Sequence, residues 1–257
     1  MFDFLIKKKK VVLDCFTQKE YAYNYAKIDH GSKFYPDWWK KTPSYCDNHD
    51  NILEGKSVTI KHCTGFTDYY NRAVIIPSWF SLKLHVKSIK EKRFIWESSN
   101  ADFHEVSHPK NQFDNFCLDD GFNFKIGSPW RFKTKNKVSF VWSDPVWSNR
   151  QHLFDYSVLP AVIDFRNQHS TNISLFLKFD LEPKSIFIDA LQPLVALHPM
   201  FDYDLEIKNH LVSEKEYDSI DDWRKLLIRN LTNFNELNKY RKSRIKILDR
   251  KEMDDGE

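Results

Sequence analysis

The feature that most limits what this chain can fold into is a rhythm of two. Short runs alternate apolar or small residues with polar ones: SVTIKHC at 57–63, FSLKLHV at 80–86, FNFKI at 122–126, WRFKT at 130–134 and VSFVW at 138–142. Alternation at that period places successive side chains on opposite faces of an extended ribbon, one dry and one wet. Further apolar runs at 11–16, 73–77, 94–96, 158–165, 173–179, 186–188 and 194–197 read as strands of the same length. Many short strands at this spacing predict a mainly β fold: an antiparallel β-sandwich or barrel-like body, with β-clip and jelly-roll arrangements as variants.

The stretch GSPWRFKTKNKVSFVW at 127–142 carries the pattern furthest. Lys135-Asn136-Lys137 looks like a turn, so the flanking runs are expected to pair as a hairpin. Trp130, Phe132 and Thr134 then share the inward face, and Arg131 and Lys133 the wet one. Twenty-one Phe, 11 Tyr and eight Trp against only six Gly favour this reading, because rings fill a pleated, half-buried surface well.

The period changes near the carboxyl end. Ile220, Trp223, Leu226, Leu227, Leu231, Phe234, Leu237 and Tyr240 recur at three- and four-residue steps, with Ser219 and Asp222 as a capping box. The expected organisation is a β-rich body over 1–210, a long amphipathic helix within 211–248 packing on it, and a flexible polar tail over 249–257. Near the other end, YPDWWKKTP at 35–43 is framed by prolines, which predicts a short helical turn or loop presenting Trp38 and Trp39.

Thirty-nine basic residues against 36 acidic ones leave a net charge of +3, so no general attraction for nucleic acid is expected. Cys15, Cys46, Cys63 and Cys117 form no CxxC pair and suit reduced thiols. MFDFLIKKKK places its lysines after the apolar run rather than before it, unlike a signal peptide, and no segment is long and apolar enough to predict a membrane span. The expected location is a host cytoplasm or a virion.

Reaction chemistry is thinly encoded. Cys46 with His49, His62 with Cys63, and His104 with His108 supply metal-ligand atoms, but not at recognised intervals, and no metal or cofactor is predicted. No histidine stands in an HxD or HxE arrangement, and there is no GxSxG, Walker loop or GxGxxG.

Six segments in order, PDWWKKTP, TIKHCTGFTD, HPKNQ, KIGSPWRFKT, AVIDF and QPLVALHP, resemble a family of bacterial and tailed-phage proteins of about this length that has no assigned activity. That resemblance implies a phage-type origin more than a function. The AVIDF strand, with ISLFLKF and IFIDALQPLVALHP after it, also resembles the late part of deoxyuridine triphosphatase and deoxycytidine triphosphate deaminase proteins, which singles out Asp164. The early aspartate-alanine-glycine signature and the proline-glycine-serine loop of those enzymes are missing, so the likeness implies a fold without hydrolysis.

Two functional expectations arise. The first is a non-enzymatic structural or accessory protein of phage type whose β-body and terminal helix bind another viral or host protein, or further copies of itself, an expectation drawn from dense aromatics without a recognisable catalytic set. The second is a small-ligand or nucleotide-binding enzyme or sensor. Its pocket would be drawn from Lys61, His62, His108, Gln112, Trp130 and Asp164, with Trp38 and Trp39 as stacking candidates.

Overall fold

The computed structural model describes residues 10–47, 56–88, 93–100, 121–148, 155–166, 168, 171–178, 184–200, 202 and 204–220. Along the chain these form β1 (Lys10–Thr17), α1 (Glu20–Tyr25), β2 (Asp29–His30), α2 (Asp37–Lys41), β3 (Tyr45–Asp47), β4 (Lys56–Val58), α3 (Thr64–Arg72) and β5 (Val74–Pro77). There follow β6 (Leu82–Ser88), β7 (Arg93–Ser98), β8 (Gly121–Ile126), β9 (Arg131–Lys133), β10 (Phe140–Ser143), β11 (Tyr156–Val158) and β12 (Ala161–Ile163). The last elements are β13 (Ile173–Lys178), β14 (Lys184–Ile188), β15 (Pro193–Pro199), β16 (Asp204–Leu211) and α4 (Glu214–Ile220). Short 3-10 turns at Gly31–Phe34 and Ile60–His62 complete the set.

The protein is mainly β, as the alternation implies, with most strand pairs antiparallel. A five-stranded sheet runs β12-β10-β15-β5-β2. Three three-stranded sheets run β16-β1-β9, β11-β13-β8 and β14-β6-β7, and β3-β4 is a separate ribbon. These are discrete sheets rather than the barrel-like body expected from strand spacing, since among the described residues no strand ladder closes on itself. One pairing is also parallel. β1 and β16 run side by side from Lys10↔Asp204 to Thr17↔Leu211, joining two distant ends of the described chain.

One large core gathers rings and aliphatics from these sheets, among them Val11, Leu13, Phe124, Trp130, Phe132, Phe140 and Leu197. At β5 the five-stranded sheet is dry on both faces. Val74 and Ile76 enter the large core, whereas Ile75 on the opposite face joins Ala73 and Ala196 beneath Phe34 and Tyr69. This is why AVIIP reads as an unbroken apolar run: a strand covered on both sides has no wet face to mark with polar residues.

Several local expectations are corrected. The hairpin at 127–142 does not form: β9 pairs with β1, while β10 pairs with β12 and β15. The inward faces are nevertheless as expected, with Trp130, Phe132, Thr134, Phe140 and Trp142 all buried. Alternation fixes which side of a ribbon is dry but is silent on its neighbour, and here the chain crosses between sheets between Lys133 and Phe140. The strand expected over 57–63 ends at Val58, because the Thr59 hydroxyl accepts from Lys61 N and donates to Pro43 O, starting a 3-10 turn. The run expected over 158–165 is two strands in different sheets, split at Leu159-Pro160, where proline can offer no ladder donor.

At the carboxyl end a capping box is formed by Ser213 with Glu216; Ser219, expected to cap the helix, lies inside α4, and Asp222 lies outside the described residues. Glu216 N donates to Ser213 Oγ while Ser213 N donates to the Glu216 carboxylate, and α4 starts there. The described helix is seven residues long. The rest of the long helix expected within 211–248, and the tail at 249–257, lie outside the described residues.

Candidate functional site

The helices α2 and α3 lie on the outer face of the five-stranded sheet and carry a cluster of aromatic rings. Helix α2 is short for a local reason: Pro36 precedes it, Thr42 closes it by donating from its N–H to Trp38 O and Trp39 O, and Pro43 follows. Consecutive helical residues point about 100° apart, so Trp38 and Trp39 approach the ring cluster from different sides. Trp39 turns under and stacks on Tyr35, with centroids 4.4 Å apart, and on Phe66 at 5.7 Å. Trp38 turns outward and stays 42% exposed.

In α3, Phe66, Tyr69 and Tyr70 recur at three- and four-residue steps and form the undercarriage. Phe66 is the buried hub, meeting Trp38 edge-on at 5.4 Å and Trp147 at 5.5 Å. Each tyrosine hydroxyl is spent on holding parts together: Tyr69 donates to Asp144 O, Tyr70 pairs with Ser148 Oγ, and the single Tyr35 hydroxyl proton is shared between Thr67 O and Asn71 Oδ1. Burial pushes the Tyr70 hydroxyl up to about 12 and raises Tyr69 as well, so both stay protonated donors. These bonds fix the loop bearing Trp147, which is 45% exposed and stands 6.4 Å from Trp38. Trp38 Nε1 donates to Trp147 O at 2.9 Å.

The rim is made by the 3-10 turn at Ile60–His62 and by the β3-β4 ribbon. Lys61 Nζ donates to Trp39 O at 2.6 Å and to Lys40 O at 3.0 Å. There it offsets the negative end of α2 while lying 4.0 Å over the Trp39 ring. His62 leans on the ring of Tyr45 at 5.3 Å. Tyr45, Val58 and Ile60 add further exposed apolar surface.

Of the residues singled out in the sequence, Trp38, Trp39, Lys61 and His62 therefore meet in one place. Trp130 does not join them: it is fully enclosed in the main core, and its indole Nε1 has no partner there. Asp164 holds a turn after β12, accepting from Arg166 N and from its guanidinium. His108 and Gln112 lie outside the described residues. The parts that sequence reasoning missed are Tyr35, Phe66, Tyr70 and Trp147. The helical spacing in TGFTDYYNR could have revealed α3, but nothing local marks Trp147 as a neighbour of Trp38.

Among the described residues no group of three His, Cys, Asp or Glu side chains converges as metal ligands would. Cys15 is buried, Cys46 and Cys63 are exposed thiols, and Cys117 lies outside the described residues. No helix among them is long and apolar enough to cross a membrane. Comparison of the chain with known protein families, with curated proteins and with solved structures gave no match.

Proposed function

We propose that this chain is a non-enzymatic, phage-type structural or accessory protein. In this reading its sheets stack as a sandwich, and it binds a partner protein through the surface made by Trp38 and Trp147. The observation that carries the proposal is that these two exposed indoles stand side by side over a cluster of rings while several of the polar groups beside them are already committed. Trp38 Nε1, the Thr42 and Thr59 hydroxyls and Lys61 Nζ all bond within the protein. A surface with large apolar faces and few unused donors suits apolar side chains of another protein, and tryptophan dominates the centres of such interfaces. The surface is also rigid, being bonded to α3 and through it to the sheet, so little ordering cost opposes binding.

The test is affinity capture and native mass spectrometry from the protein's own host, comparing wild type with the double variant Trp38→Ala/Trp147→Ala. A defined stoichiometric partner, or a self-assembled oligomer, that is held by wild type and lost by a folded double variant supports the reading. The same partners held equally by both would reject it.

A further inference from the structure

A second concavity lies at the far end of the β14-β6-β7 sheet, separate from the aromatic surface and independent of the protein-binding proposal. Its wall is a cross-strand row in which Phe187 stands opposite Lys83 and Lys83 opposite Glu97. Leu82 and Ile188 close its floor from the core side, and Ser81, Ser98, Ser99 and Asp189 complete it. It is an open groove of about 320 Å³, room for a small organic molecule.

The chemistry of the lining is specific. Phe187 is 45% exposed, with Lys83 Nζ over one side of its ring at 5.7 Å from the centroid, which leaves the remaining exposed ring surface for a ligand. The three serine oxygens each accept from a backbone N–H: Ser81 Oγ from Ala190, Ser98 Oγ from Asn100 and Ser99 Oγ from Ser81. Those bonds fix the hydroxyls and leave each proton available to donate, since among the described residues none of the three donates. Glu97 and Asp189 add carboxylate acceptors that form no ion pair among the described residues. Two carboxylates against one ammonium disfavour a phosphate or other anion.

One edge of the concavity is held in an unfavourable backbone conformation. Leu191, just past Asp189, has φ of 69°, a region that side chains other than glycine seldom occupy. The turn is held from several sides: Leu191 N donates to Ser78 O, Asp189 N to Gln192 Oε1, and Gln192 Nε2 to the Tyr156 hydroxyl. Asp189 is thereby fixed at the mouth of the groove.

We infer that this groove binds a neutral carbohydrate, a pyranose ring whose C–H face lies on Phe187 and whose hydroxyls meet Glu97, Asp189 and the serine hydroxyls. A sugar is the small ligand that offers an apolar face together with many groups that both donate and accept, which is the combination this lining asks for. Charge-assisted bonds from sugar hydroxyls to the carboxylates supply orientation.

The test is saturation-transfer NMR on the full chain with methyl α-glucopyranoside, methyl α-mannopyranoside, methyl β-galactopyranoside and N-acetylglucosamine, each at about 10 mM, a range that detects millimolar binding. At least one should show transfer, strongest on the ring C–H protons of one face. Phe187→Ala should abolish it, and Glu97→Gln or Asp189→Asn should weaken affinity by about tenfold, the loss of one charge-assisted bond. Trp38→Ala/Trp147→Ala should leave the signal unchanged, so the two proposals can fail separately. The Glu97 and Asp189 variants serve should Phe187→Ala misfold. The inference is overturned by no transfer to any of the four sugars, by transfer that survives the groove variants, or by stronger binding of glucose 6-phosphate or agmatine.

Discussion

Trp38 and Trp130 both sit beside a second large ring and both neighbour basic residues in sequence, yet they have opposite fates. Trp130 leads a run whose rings fall on every second residue, and a strand sends all of them into one interior. Trp38 is adjacent to Trp39 in a five-residue helix, which separates the pair and leaves one indole in water. The periodicity around a tryptophan thus decides its role more than its composition does.

The sharpest way to break this contrast is to remove each indole in turn. Trp130→Ala should cost about 3–5 kcal/mol, the range for emptying a large aromatic site in a packed core. Trp38→Ala should cost about 1 kcal/mol or less, as for a half-exposed residue away from the core. Urea denaturation reads both, and equal losses would mean that the α2 surface is as much core as the sheet interior. Trp130→Phe refines the point. Because Trp130 Nε1 is buried without a partner, replacing indole by phenyl removes an unpaired donor, and its benefit opposes the cost of the smaller ring. Trp130→Phe should therefore sit much closer to wild type than to Trp130→Ala.

A smaller effect is expected where the two regions are joined. Gly31 opens the 3-10 turn that seats Tyr35, and a Cβ there would run into the Tyr70 carbonyl oxygen and the Ala73 Cβ. Gly31→Ala should cost about 1–3 kcal/mol, the range for overpacking a filled site. Near-UV circular dichroism should change with it as the Tyr35-Trp39 stack shifts. A spectrum and a stability equal to wild type would show that the aromatic surface does not depend on this seat.

How much of the fold was legible in the sequence depends on the range of the interactions. The burial of Val11, Leu13 and Cys15, or of Phe140 and Trp142, is carried by residues two apart and could be read directly. Strand β16 gives a weaker signal, with Leu205 and Ile207 only half-buried and Leu211 exposed. What could not be read is partnership. Nothing near Lys10 points to Asp204, and nothing in WRFKTKNKVSFVW says that its two halves belong to different sheets. The candidate site shows the same division. The prolines around DWWKK marked a short helical turn or loop but not the exposure of its indoles, whereas the approach of Trp147 and the capture of Lys61 by two helix-end carbonyls arise only from tertiary packing.

The smallest expected effect separates the two regions by pH. His198 on β15 lies between the sheet and α3, its ring 4.5 Å from that of Tyr69 and its Nε2–H donating to Tyr69 O at 3.0 Å. Burial lowers its pKa below the ordinary 6.5, and nearby Arg72 adds to the shift, while the bond to the Tyr69 carbonyl partly opposes it. The folded protein therefore resists a proton that the unfolded chain accepts. Stability should be unaffected by this group above 6.5 and should fall as pH drops from there to the lower folded value, where the penalty is complete. His198→Gln keeps an amide donor for Tyr69 O but cannot titrate. Urea midpoints followed from about pH 7.5 to about pH 5 should decline more steeply for wild type than for this variant, while groups common to both cancel in the difference. Trp130→Phe, which changes the core alone, should decline in parallel with wild type. Parallel curves for His198→Gln as well would show that the junction under the aromatic surface admits a proton as freely as water does.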